Sequence, residues 1–243
     1  MKKGLAGIIV MFSFVPMLVL AENTTTPLKT EKGFCARITT LSTKIVTQIT
    51  NSEDKQERVH NEKEDKFIRK TGEVDIKRAQ NRADIDGNRA KRWDKMLDKA
   101  NTDAEKAAVT AYKTAIQDAA TARRTAVDLA VETYRTGATA SMTARDTAVK
   151  TAMEAFKVSV NSALTAAQSS CASGTTNQTV SSAFNKSVND ARKTLREAKK
   201  TADITSGIAS LKQTRDEAIK LADTTFKTAT TTALANLKLV LHK

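Results

Sequence analysis

The chain has little of anything that breaks or decorates a helix. Its 243 residues include 2 prolines, 8 glycines, 2 cysteines and 2 histidines, and aromatic residues make up 4%. So few turn-formers cannot punctuate a many-stranded β protein. So few aromatics argue against a large globular core and favour narrow seams between helices. His60 and His242 lack a Cys, His or carboxylate partner at metal-ligand spacing such as H-E-x-x-H, so no metal site is expected. A Gly-rich phosphate loop and a G-x-S-x-G elbow are missing. Thin seams also offer no concave pocket for a substrate. No catalytic residue and no cofactor is therefore expected, and the chain does not read as an enzyme.

Charge is plentiful. Forty Lys and Arg face 27 Asp and Glu, a formal net charge of +13. A balance this basic suits polyanions such as anionic lipid, cell-wall polymer or nucleic acid. The two signs are interleaved, however, which a solvated helix surface laced with salt bridges also explains.

Residues 1–21 read as an export signal. Lys2 and Lys3 precede an apolar stretch from Leu5 to Leu20, and Val19-Leu20-Ala21 places small residues where a signal peptidase cuts. The alternative is an uncleaved anchor, although a spanning helix needs about 20 apolar residues. Cleavage after Ala21 removes two of the 40 basic residues. Residues 22–33 then form a flexible leader ahead of a single long helical bundle, 34–243. The expected location is extracytoplasmic: periplasm, cell surface or secreted.

Helical patterning starts at Phe34. Ile38, Leu41, Ile45 and Ile49 recur at spacings of three and four, one helix face. The stripe then thins, and acid-first pairs four apart take over: Asp54 to Arg58, Glu62 to Lys66, Asp65 to Arg69 and Glu73 to Lys77. Thr102-Asp103-Ala104-Glu105 matches a capping box. Ser173 to Gln178 reads as a turn. The expected helices are about 34–100, 103–172 and 179–241, with Gly207 as a point where the last one kinks or stops.

A repeat runs through the second and third helices. Arg123 is followed by Ala126, Val127, Ala130 and Tyr134; Arg145 by Ala148, Val149, Ala152 and Phe156; Arg215 by Ala218, Ile219, Ala222 and Phe226. A degenerate copy ends at Tyr112. The offsets advance about 3.67 residues per turn, an eleven-residue pattern that packs nearly straight. Tyr112, Ile116, Arg123, Val127, Tyr134, Arg145, Val149, Phe156, Arg215, Ile219 and Phe226 are thus the expected seam. The arginines lay their stems over it.

Cys35 opens the first helix and Cys171 closes the second. If the two helices fold back at residues 100–103, antiparallel pairing brings both cysteines to one end. In an oxidising compartment such a pair closes into a disulfide; the alternative is two buried free thiols. The same register sets Arg145 near Glu62 and Arg123 near Asp84. It sets the basic run Arg192, Lys193, Arg196, Lys199 and Lys200 beside Glu53, Asp54 and Glu57. That run, with Arg89, Lys91 and Arg92, forms the candidate polyanion contact.

The repeats over 101–158 and 215–228 resemble those of exchangeable apolipoproteins, which implies lipid-surface binding. They depart from that pattern in lacking proline punctuation and in an apolar face mostly of Ala and Thr. The chain as a whole resembles exported Ala/Lys-rich helical proteins of candidate-phylum bacteria, on Phe34-Cys35-Ala-Arg-Ile38, Asn88-Arg-Ala-Lys-Arg-Trp93 and the Arg-x-x-Ala-Val/Ile repeats. That group has no established activity to carry over.

The expected fold is all-α, an elongated antiparallel three-helix bundle or coiled coil with 11- and 22-residue repeats. The expected role is a non-enzymatic spacer, scaffold or adhesin-like rod of the cell envelope. The alternative is a peripheral module for polyanions or lipid surfaces. Expected partners are another envelope protein, a cell-wall or other anionic surface, or a second copy. Membrane contact is peripheral, and nucleic acid is disfavoured.

Overall fold

The computed structural model describes residues 33–241. The expected signal segment 1–21, the leader up to residue 32, and His242 lie outside the described residues. Four helices follow in order: α1 (Phe34–Asp98), α2 (Asp103–Ala172), α3 (Asn177–Thr201) and α4 (Thr205–Leu241). The fold is all-α, with three helical runs packed against each other.

Local chemistry sets the boundaries. At the start of α2, the Glu105 carboxylate accepts from the backbone N–H of Thr102 at 3.0 Å, and the Thr102 hydroxyl accepts from the Glu105 N–H at 3.2 Å. This is the reciprocal capping box read from the sequence. After α2, Gly174 takes φ +80° and its N–H donates to the Cys171 carbonyl. A left-handed residue is the usual way to turn a helix end, and glycine adopts it without steric cost. Thr176 then caps α3 by accepting from the Thr179 N–H.

The last helical run, expected over 179–241 with a kink or stop at Gly207, is divided into α3 and α4. The break falls at residues 202–204, ahead of Gly207, which lies inside α4. Asp203 causes it: its Oδ1 accepts from both the N–H and the hydroxyl of Thr205, at 3.1 and 2.6 Å. A short acidic side chain that captures a nearby N–H competes with helix continuation and starts a new helix instead.

The chain also divides into two compact units. Residues 33–62 with Thr143–Thr205 form unit 1, and Lys63–Met142 with residues 206–241 form unit 2. In unit 1, α1 and α2 run antiparallel: Cys35 meets Cys171, Glu53 meets Lys157 and His60 meets Asp146. α3 runs alongside α1. The Phe34 and Phe184 rings lie 5.5 Å apart, and the Cys35 N–H donates to Asn177 Oδ1 at 2.8 Å. Twelve buried residues make one apolar cluster, among them Ile38, Ile45 and Ile49 of α1, Phe156 and Val160 of α2, and Val180, Phe184 and Val188 of α3.

Unit 2 is built differently. α1 and α2 are again antiparallel, as the pairs Asp75–Arg135, Arg82–Asp128 and Asp86–Arg124 show. α4 returns antiparallel to α2, with Arg123 on Asp223 and Leu211 against Gly137. The compact apolar cluster here holds only Trp93, Ile116 and Ala233, with Met96 and Tyr112 packed on it. Ile68, Ile76 and Ile85 of α1 stay exposed.

Two glycines sit in α1 with open space where a Cβ would stand: Gly72 and Gly87. Glycine in a helix interior costs about 0.5–1 kcal/mol relative to alanine. Gly72→Ala and Gly87→Ala should therefore each raise stability by about that amount. Chemical denaturation of each variant measures it.

Candidate functional site

Cys35 and Cys171 form a disulfide, with Cα atoms 5.5 Å apart, and no free cysteine remains. Both cysteines pack against the apolar cluster of unit 1. The bridge thus ties the start of α1 to the end of α2.

The seam residues occupy several environments. Ile116, Val149 and Phe156 are buried, while Tyr112, Val127, Tyr134, Ile219 and Phe226 are half-buried. Two of the repeat arginines lock onto aromatics of the opposite helix. The Arg123 guanidinium lies 5.7 Å from the Phe226 ring, and that of Arg215 lies 4.6 Å from the Tyr134 ring. The contacts are reciprocal: the arginine that begins the α2 repeat covers the aromatic that ends the α4 repeat, and the reverse. Stacking of this kind is worth about 0.5–1 kcal/mol at exposed sites.

Several expected charge pairs are not those the structure forms. Arg123 bonds Asp223 of α4 at 2.6 Å, where Asp84 was expected. Arg145 lies within electrostatic reach of Lys199 and Asp203. Arg58 meets Glu62, not Asp54, and among the described residues none of the four acid-first pairs closes into an ion pair. Those side chains are long and solvated, so holding a pair costs as much as it returns. The basic run of α3 was expected to be compensated by Glu53, Asp54 and Glu57. Among the described residues, none of Arg192, Lys193, Arg196, Lys199 and Lys200 forms an ion pair with a carboxylate. Glu53 instead faces Lys157. Burial, and then neighbouring Arg196, pulls the Arg192 pKa down; burial, and then Arg145, does the same to Lys199. Of the α1 candidates, Arg89 pairs with Asp86 and lies over Trp93, while Lys91 and Arg92 are exposed.

The sequence reading missed the main polar structure, an arginine–aspartate ladder joining α1 to α2 in unit 2. Arg135 makes a two-pronged bond to Asp75, at 2.5 and 2.8 Å. Arg82 does the same to Asp128, at 2.8 and 2.7 Å. Arg78 also reaches both carboxylates at 3.3 Å. Asp86 Oδ1 accepts from Arg124 at 2.6 Å and from Arg89 at 3.1 Å. The signal was present: Asp75, Arg78, Arg82, Asp86 and Arg89 follow at steps of three and four, one face of α1. Paired forks of this geometry hold register as well as charge.

All three ladder aspartates titrate below the usual carboxylate range. The first cause in each case is the bonded guanidinium: Arg135 for Asp75, Arg124 for Asp86 and Arg82 for Asp128. A depressed folded-state pKa adds stability above the unfolded value, near 4, and that stability is lost as pH falls through the folded value. Thermal stability should thus be flat from pH 7 to about 5 and decline below about 4. Asp128→Asn should show a shallower acid decline in a melting series across pH.

The narrow seams were expected to leave no concavity. Unit 2 has two. An open groove of about 800 Å³ runs between α2 and α4, floored by alanines with Leu129 and Leu221 exposed on it. A cavity of about 420 Å³ is lined by Arg82, Ile85, Arg89, Ala120, Arg123, Arg124, Asp223 and Phe226. Helices lined with alanine approach closely but do not fill the space beside them, which the sequence pattern alone does not reveal. No helix among the described residues is long and apolar enough to cross a membrane. No protein family, curated protein or solved structure matches the chain.

Proposed function

We propose that the protein is a non-enzymatic structural or interaction protein of the cell envelope, exported by its first 21 residues. It would act as an elongated helical spacer, scaffold or adhesin-like rod. The observation that carries this reading is the length of α1 and α2, 65 and 70 residues without interruption. At 1.5 Å per residue each spans about 100 Å. The cross-links between the helices support it too. A disulfide joins them in unit 1, and two-pronged arginine–carboxylate bonds join them in unit 2. Both kinds of link stiffen a helix pair and leave its outer faces to partners. Cross-linking on intact cells followed by affinity capture tests it. The reading expects the protein outside the cytoplasmic membrane, joined to an envelope component; recovery from the cytoplasm alone would refute it.

One observation favours a second reading, a peripheral module for anionic surfaces. The α3 run Arg192, Lys193, Arg196, Lys199 and Lys200 has no carboxylate partner among the described residues, and two of its members are partly desolvated. An anionic surface would relieve that cost. Pelleting with anionic vesicles or cell-wall fragments across a salt series tests it. Binding that weakens steeply with salt supports this reading, and absence of binding at low salt removes it.

A further inference from the structure

The groove between α2 and α4 of unit 2 carries a local two-fold symmetry. The two helices run antiparallel and share one repeat, in which Arg123 corresponds to Arg215. The same offset relates Leu129 to Leu221, Ala126 to Ala218 and Ala130 to Ala222, and all six line the groove. Two copies of one repeat in antiparallel helices are related by a two-fold axis that passes between them. The reciprocal stacking of Arg123 on Phe226 and of Arg215 on Tyr134 obeys that axis too. Each bank of the groove thus presents one leucine set between alanines.

These leucines face water. Leu129 is 62% exposed and Leu221 is 68% exposed, on a groove of about 800 Å³. Contiguous apolar surface of this kind marks an association site. Charge narrows the partner. The charged residues of the lining are Asp118, Arg123 and Arg215. Asp223 already matches Arg123, and Asp216 matches Arg215. A polyanion therefore meets no surplus cation here. The chain as a whole carries a net charge of +13, so copies repel one another, but this face adds nothing to that repulsion. The size is sufficient as well. Residues 115–134 of α2 span about 28 Å, and two helices side by side are about 20 Å across. Two such faces laid together cover about 1,100 Å² in total, above the roughly 1,000 Å² that a specific interface needs.

We propose that this groove docks on the same groove of a second copy of the chain, making a two-fold dimer. An isologous contact needs a patch that is complementary to itself. The leucines on both banks supply the knobs, and the alanines beside them leave room for the knobs of the other copy. The joined faces form a layer of four helices, α2 and α4 from each copy. The contact does not depend on where the protein acts, so its failure and that of the envelope reading are separate results.

Sedimentation of the full chain at concentrations up to about 100 μM tests the proposal, a range that detects even a weak dimer. The expected result is a rise in mass from one chain to two. Leu129→Glu with Leu221→Glu should stay a single chain throughout, with unchanged helical circular dichroism. Leu129→Ala with Leu221→Ala keeps the helices, because alanine is the better helix former, and should weaken the dimer at least about tenfold. Ile76→Glu changes a similarly exposed apolar residue of α1 and should leave the dimer intact. A wild type that remains a single chain at every concentration overturns the proposal and leaves the groove to a different kind of partner. So does a dimer that persists unweakened in the alanine variant.

Discussion

Loss of the Cys35–Cys171 disulfide should lower stability by roughly 4–5 kcal/mol, on the chain-entropy account of a long closed loop. The two cysteines are 136 residues apart in sequence, so the bridge removes a large share of the freedom of the unfolded chain. It also lies at the edge of the one substantial apolar cluster, where Phe34, Cys35 and Cys171 pack on the buried residues. Reduction therefore frees the start of α1 next to the contacts that hold it. Comparing the wild type with Cys35→Ala/Cys171→Ala in urea, both without reductant, measures the effect. A loss below about 1 kcal/mol would mean that the cluster alone holds this end.

Phe184→Ala should cost about 3–5 kcal/mol, the usual range for emptying a buried aromatic site. Phe184 is 6% exposed, and its ring lies 5.5 Å from that of Phe34. α3 buries Val180, Phe184, Val188 and Ala191 in the cluster, and Leu195 packs against it. The removed ring is thus one of four buried anchors of a 25-residue helix. Urea denaturation followed by circular dichroism reads the change. A loss under about 1.5 kcal/mol would show that the site collapses around the smaller side chain.

The two units differ in how far they were legible from sequence. Ile38, Ile45 and Ile49 announce their buried face by spacing, and Thr102 with Glu105 announce the start of α2. The cysteines meet because two helices of nearly equal length fold back at residues 99–102. These features depend on local periodicity or on simple geometry. The ladder of unit 2 depends on which of many charged residues face each other across two helices. The expectation for Arg123 failed because its side chain turns to Asp223 and Phe226 of α4 instead of to α1. Asp203 shows the limit for boundaries. Its side chain ends a helix by a bond to Thr205, a choice that nearby Gly207 obscures by being the more familiar breaker.

The candidate site was harder to read for a related reason. Arg89 was singled out for charge, and Arg123 for its place in a repeat. Their meeting in one cavity requires α1, α2 and α4 to be set in register at once, and no single stretch of sequence encodes that. The α3 run was placed beside Glu53, Asp54 and Glu57, yet Arg192 and Lys199 are partly desolvated with no carboxylate partner among the described residues.

Small-angle scattering of the chain without residues 1–21 tests most directly the proposal that the protein acts as an elongated helical spacer or rod. Helices of 65 and 70 residues predict a longest dimension near 100 Å and a radius of gyration of about 30 Å. A radius of gyration of about 17 Å, the value for a compact domain of this size, would contradict it.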